Sequence, residues 1–285
     1  MKPRPFDYLR PDTVEEALAL LAEYGDDARV LAGGQSLVPM LNLRIVEADA
    51  LIDISRIAAL DVIREVRDKE LGQSIEIGAA VTQNKLLAWP QLSEKLPLVA
   101  AALPHVGHFQ TRNKGTVCGS IAHADPSSEL PLALALVGGE IVLKSQRGER
   151  LLAAKDFQKD MLTTARAGDE LITAVRFHAA NGNGIGRGVG FREVARRHGD
   201  FAIVAVAAVA ENKNAVRLGV GGLAGTPMVR RIAVNGAEEA LREWAGELEG
   251  YEDLHASAAM RRDLFRNLAP LAIEEAKGGK VGCAA

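Results

Sequence analysis

The sequence predicts an α+β protein built in two parts. Apolar runs of strand length follow one another through most of the chain, while the last long segment, about residues 237–277, is helical in pattern. Strands in succession with helices grouped after them favour α+β over an alternating, doubly wound sheet. The stretch "AANGNGIGRGVG" is so rich in glycine that a domain boundary is expected there. At 285 residues the chain is long enough for a sizeable core, and no internal repeat is present.

The elements follow in order. "TVEEALALLAEYG" is the clearest helix, because Thr13 and Glu16 form a capping box and Val14, Ala17, Leu18 and Leu21 share one face. Gly25 stands where a helix C′ residue is expected. "ARVLAGG" is a short apolar run into glycines, "SLVPMLNLR" a second helix start, and "ALIDIS" and "SIEIGAAVT" are strands. Thr82 is placed to cap "QNKLLAW". A polar stretch, "GHFQTRNKGTVCGSIAHADPSSE", separates this region from "LPLALALVGG", a buried helix ended by glycines. "GEIVLKSQRGERLL" reads as a hairpin turning at Gln146 to Gly148, and "DELITAVRF" as a strand. Beyond the glycine-rich segment, "FREVARRHGDFAIVAVAAVAENKNAVRLGVGGL" reads as antiparallel strands turning at Asn212 to Asn214.

Composition excludes several function classes. Hydrophobic residues at 48% and charged residues at 25% describe an ordinary globular protein. A formal charge of −3 with only 4% aromatic residues argues against a nucleic-acid partner. No apolar run reaches the roughly 18–20 residues that span a bilayer. The N-terminal "MKPRPFDYLRPD" lacks the apolar core of a secretory signal. Cys118 and Cys283 are the only cysteines, too few for a disulfide framework, so a cytoplasmic location is expected. An ordinary [2Fe–2S] cluster needs about four, so this chain cannot hold one alone.

Two side-chain-poor loops carry the chemistry. In "VLAGGQSLVPML", Gly33 and Gly34 let a ligand approach the main chain, and Ser36 is a candidate N-cap with Pro39 in the first turn. The amides of Gly34, Gln35, Ser36 and Leu37 can then converge on an anion at the positive end of a helix dipole. A tight strand-to-helix turn would look the same. The second loop, "NKGTVCGSIAHADPSSELP", has Gly115, Gly119 and Ser120 to free the backbone, Thr116 as a hydroxyl and Asp125 as an acceptor for ribose or ribityl hydroxyls. Ser127 or Ser128 can cap the helix that follows. Together the loops suit a long ligand with a diphosphate in its middle, such as a dinucleotide.

These two motifs, "AGGQSLVPMLNLR" and "HFQTRNKGTVCGSIAHADPSSELP", resemble the flavin-binding signatures of the FAD-carrying medium subunits of molybdenum hydroxylases. This is the group of xanthine, carbon monoxide, nicotine and caffeine dehydrogenase-like enzymes. The resemblance also covers "FDYLRPDTVEEALALL", "LLAAKDFQKDMLTTARAGDELI" and "FREVARRHGDFAIVAVAA", and so runs nearly end to end.

The resemblance implies a two-subdomain FAD-binding fold of the vanillyl-alcohol oxidase type over 1–178, divided near 55. A C-terminal domain of small antiparallel sheet plus helices would occupy 179–285. It implies that Ala32, Gly33, Gly34, Gln35, Ser36 and Leu37 hold the diphosphate of a non-covalent FAD. Thr116, Val117, Cys118, Gly119 and Ser120 would form the second wall. Asp125 and Glu129 would contact hydroxyls, and Leu162 and Phe191 fall in stretches that lie near the isoalloxazine ring in relatives. Two departures stand out: Thr116-Val117-Cys118-Gly119 where the family has T-I-G-G, and Lys159-Asp160 where a glycine is common.

The implied function is an oxidoreductase subunit that takes electrons from the [2Fe–2S] clusters of a small partner and passes them to an external acceptor. A large molybdenum-cofactor subunit would hydroxylate the substrate, in a dimer of heterotrimers. The alternatives are a stand-alone FAD-dependent reductase of the same fold, or a flavinless assembly subunit. Cys118 is read as a small buried filler rather than a redox thiol. His105, His108 and His123 are not read as a metal site, because matching ligand spacings are missing. Arg196-Arg197-His198 and the glutamate-rich "GAEEALREWAGELEGYED" read as solvated surface.

Overall fold

The computed structural model describes residues 2–68, 72–180 and 188–278. Cys283 and most of the glycine-rich boundary segment, 181–187, lie outside the described residues.

The chain begins with a small parallel unit. Strands Asp7–Leu9, Ala50–Asp53 and Ala28–Leu31 lie side by side in that order, with Val30 opposite Ile52. Helix Val14–Tyr24 makes the first crossover. Thr13 Oγ1 accepts from the Glu16 amide at 3.2 Å, and the Glu16 carboxylate accepts from the amide of Asp12 at 2.8 Å rather than from that of Thr13. Val14, Ala17, Leu18 and Leu21 are buried, as the periodicity requires. This first unit alternates strand and helix, so its local order is β-α-β-α-β even though the whole chain is α+β.

A five-stranded antiparallel sheet follows, in the order Ile63–Asp68, Gly72–Gly78, Leu171–His178, Glu140–Ser145, Gly148–Ala153. Its central strand pairs Val175 with Ile77 on one side and Ile141 on the other, with a bulge between Ile172 and Ala174. The hairpin turns after Ser145 as expected. Helix Glu129–Val137 is buried almost all round and stops at Gly138 in the left-handed conformation. The segment that reads as a polar loop contains two helices, Phe109–Arg112 and Val117–His123.

The last part is an antiparallel meander, Val189–Val194, Val204–Asn212, Ala215–Gly221 and Met228–Ala233, backed by helices Ala237–Glu247 and Ala258–Gly278. The tail is therefore two helices with a break. Strand Val204–Asn212 serves two cores. Ala205, Ala207 and Val209 face the core shared with the first two sheets, while Val204, Val206 and Ala208 face the two C-terminal helices. That two-sided burial is why "IVAVAAVA" shows no polar alternation.

The glutamate-rich segment is not all surface. Leu241, Trp244 and Ala245 are buried, and the Trp244 ring meets Phe265 edge-on at 5.1 Å. Trp244→Ala is expected to lower the unfolding free energy by about 3–5 kcal/mol, measured by chemical denaturation, because a fully buried ring leaves a cavity.

Candidate functional site

A cleft of about 570 Å³ opens where the parallel unit, the five-stranded sheet and the C-terminal part meet. That size lies within the usual range for small-molecule and cofactor sites.

Its first wall is the loop from Ala32 to Leu37, all six residues of which line the cleft. Gly34 has φ +71°, where side chains are strained, and it turns the strand into helix Leu37–Asn42. Gly33 has a packing part in addition to its place on the cleft wall. A Cβ there would stand 2.0 Å from the carbonyl oxygen of Lys114, so the bare backbone also seats the first loop against the second. Ser36 precedes the helix, but its hydroxyl makes no capping bond, because its backbone is already helical at φ −102° and ψ −47°. The amides of Gly34, Gln35, Ser36 and Leu37 donate to nothing within the described chain, leaving four donors beside the cleft.

The second wall is the start of a helix, not an open loop. Thr116 Oγ1 accepts from the Gly119 amide at 2.9 Å, and the Thr116 carbonyl accepts from Ser120. The Thr116 hydroxyl expected to meet a ligand is therefore engaged as an N-cap. The Val117 amide is likewise bound, to Val81. Thr116, Cys118, Gly119 and Ser120 line the cleft, and Val117 does not. The Cys118 thiol donates to the carbonyl of Ile77 at 3.4 Å, and burial pushes its pKa well above the ordinary thiol range. It is an inert filler.

Glu129 and Leu162 also line the cleft. Twelve of the fifteen residues expected from the sequence thus share one surface, and Val117, Asp125 and Phe191 stand off it. Asp125 caps its own turn by accepting from the Ser127 amide at 2.8 Å. Phe191 is core, stacked at 5.2 Å on His105, because its strand turns that face inward. His105 in turn bonds Glu193 at 3.2 Å.

Glu129 is the unusual titrating group. Burial, then the nearby Glu193, pushes its pKa up to about 8. Among the lining residues not singled out from the sequence are four with polar or aromatic side chains, Arg29, Gln83, Arg166 and Phe201. Arg29 lies in the strand run before the first glycine loop and Arg166 in the middle stretch of the resemblance, neither marked by its spacing as a ligand group. Gln83 follows a helix cap, and Phe201 is an aromatic, 57% exposed, two residues after Gly199. An exposed aromatic beside a left-handed glycine in "RHGDF" was the one available signal.

Comparison with known proteins bears on what the cleft receives. Residues 4–178 match the family described as FAD binding domain in molybdopterin dehydrogenase. The nicotine 6-hydroxylase medium subunit of Paenarthrobacter nicotinovorans is 34% identical over 292 residues, which is 97% of this chain and 99% of that protein. The chain belongs to the FAD-binding medium subunits of molybdenum hydroxylases. The 6-hydroxypseudooxynicotine dehydrogenase complex subunit alpha of the same organism is 40% identical over 209 residues, 73% of this chain and 68% of that one. Carbon monoxide dehydrogenase from Hydrogenophaga pseudoflava, solved lacking the Mo-pyranopterin moiety of its cofactor, superposes with a TM-score of 0.88 at 30% identity. The match covers 98% of this chain and 99% of that one. Like these relatives, this medium subunit is an oxidoreductase component.

The cleft fits FAD. Four free amides offer donors for a diphosphate, and Gln83 Oε1 is a buried acceptor on the wall with no partner among the described residues. Bare backbone and small side chains between the walls leave a channel.

Two expectations follow from this geometry. Gly33→Ala should push the two loops apart, lowering stability by about 1–3 kcal/mol and releasing flavin, as read by thermal melting and flavin content together. Glu129 is protonated more readily folded than unfolded, so its contribution to stability is complete below about pH 4.5 and lost as pH rises through about 8. Glu129→Gln should therefore flatten the fall of the melting temperature between pH 5 and 9, and an unchanged pH profile would contradict the burial of this carboxyl.

Proposed function

We propose that this chain is the subunit through which a molybdenum hydroxylase delivers its electrons. It would receive them from [2Fe–2S] clusters of a small partner and pass them to an external acceptor, beside a large molybdenum-cofactor subunit, in a cytoplasmic dimer of heterotrimers. The observation that carries this reading is a flavin-type cleft in a chain with two cysteines, one buried in the cleft wall. Iron–sulfur ligands must then come from elsewhere. The names of the relatives, which include medium subunits and chains, support partners. Among the described residues no helix is long and apolar enough to cross a membrane.

Bound FAD would supply exchange between one-electron and two-electron chemistry. The chain's own residues hold and shield. Free amides from Gly34 to Leu37 would bind the diphosphate, helped by the helix that begins there. Gly115, Cys118, Gly119 and Ser120 would close the opposite wall, and Glu129 and Leu162 would contact the remaining length. Phe201 would cover the mouth and limit water. The same reading keeps 1–178 as the FAD-binding part, with subdomains meeting near 55, and 179–285 as the C-terminal part. Support comes from strands that group into separate sheets on either side of these points.

Isolation of the native protein tests this. It should be yellow and bring down two further chains, with iron and molybdenum on those chains and flavin on this one. Complete substrate turnover by this chain alone would favour the self-sufficient reductase instead. Cys118→Gly should keep its flavin, since the buried thiol bonds only to protein.

A further inference from the structure

Apart from the buried Cys118 thiol, which stays neutral, the ionisable groups that line the cleft are Arg29, Arg166, His123, Glu129 and Asp200. Three of them carry no free charge toward it. Burial lowers the pKa of His123 and leaves it neutral near pH 7. Glu129, with a pKa of about 8, is mostly protonated there. Asp200 is an anion already matched by Arg197 at 3.0 Å and Arg196 at 3.6 Å.

The two arginines remain. Among the described residues no carboxylate comes within ion-pair distance of either. Arg29 Nη1 donates to the carbonyls of Asp26 and Ala28, which hold the group without neutralising it. Arg166 Nη1 donates to the carbonyls of Ala167, Gly168 and Glu170, the last at 2.6 Å. Asp26, Asp169 and Glu170 stand close enough to act on Arg166. Arg147 takes Asp169 and Arg150 takes Glu170 at 2.6 Å, while Asp26 acts from beyond ion-pair distance and leaves the two arginines only partly compensated. The arginines also repel one another, and burial together with that repulsion lowers the Arg166 pKa. Folding has thus gathered two like charges on one cleft wall, an arrangement that costs free energy unless an anion joins it.

We propose that Arg29 and Arg166 are the counter-charges of the bound nucleotide, supplying two positive charges for the two negative charges of a diphosphate. This rests on the flavin reading and extends it. The loop amides give directional donors but no net charge, so charge balance in the cleft falls to these arginines. Strand Ala28–Leu31 runs into the glycine loop, which puts Arg29 about 13 Å from Gly33 along the chain, before the reach of its side chain. At such range the effect is a field rather than a contact. It discriminates phosphorylated from unphosphorylated flavins and speeds capture of anions.

Binding of flavins to the full-length chain, freed of cofactor, tests this by fluorescence quenching across a range of salt. FAD should bind more weakly as salt rises, while uncharged riboflavin should not respond. R29Q and R166Q should each weaken FAD binding about tenfold at low salt and flatten the salt dependence, with riboflavin affinity changed less than about twofold. R29K and R166K, which keep the charge but not the planar fork, should stay within about threefold of the parent. Because Arg166 also ties three carbonyls, melting temperatures of its variants separate misfolding from lost charge, and the R29 variants and the unaltered chain give the same test independently. Salt-independent FAD binding by the unaltered chain, or lysine variants as weak as the glutamine ones with unchanged melting, would overturn the inference while leaving the flavin site intact. Failure of the unaltered chain to bind FAD at all would overturn both.

Discussion

The site depends on one close approach, the backbone of Gly33 lying against the carbonyl of Lys114. It joins the loop that ends the parallel unit to the loop that begins the helix at Val117. Any side chain at position 33 would hold these two segments apart, and the cleft between their walls would lose its shape. The neighbouring pairing of Thr82 with Thr116, and the bond from the Gln83 amide to the Gly115 carbonyl at 2.8 Å, fix the second loop from its other side. The donors of the first loop are consequently held in place before any ligand arrives, which lowers the ordering cost of binding.

The C-terminal part has a second constraint of the same kind. Strand Val204–Asn212 is apolar on both faces because it closes one core and opens another. Through this strand the meander packs on the rest, and the loop carrying Gly199, Asp200 and Phe201 reaches the cleft. The mouth of the site is thus built by a part of the chain distant in sequence from both glycine loops. Electrostatics follows the same geometry: the carboxylates that line the cleft are protonated or ion-paired, while its two charged arginines have no carboxylate within ion-pair distance.

At Cys118, where the resemblance leads one to expect a glycine, the structure gives the side chain a plain place. The thiol fills space under the central strand and donates to the Ile77 carbonyl, so its extra atoms are accommodated by the core behind the wall.

The sequence alone determined the local features. Helix Val14–Tyr24 with its cap, the hairpin at Gln146, the strand runs and both glycine loops were legible, since each depends on neighbours a few residues apart. Resemblance across nearly the whole chain added the family. Tertiary structure decided what each bare position does besides lining the cleft, so Gly33 packs against Lys114 while Gly34 turns the chain. It also turned the Thr116 hydroxyl inward as a cap, and put Phe191 in the core while bringing Phe201 to the site. Arg29 and Arg166 became a pair only by folding, because a charge far along the chain has no partner, and no repulsion, until the backbone brings it there.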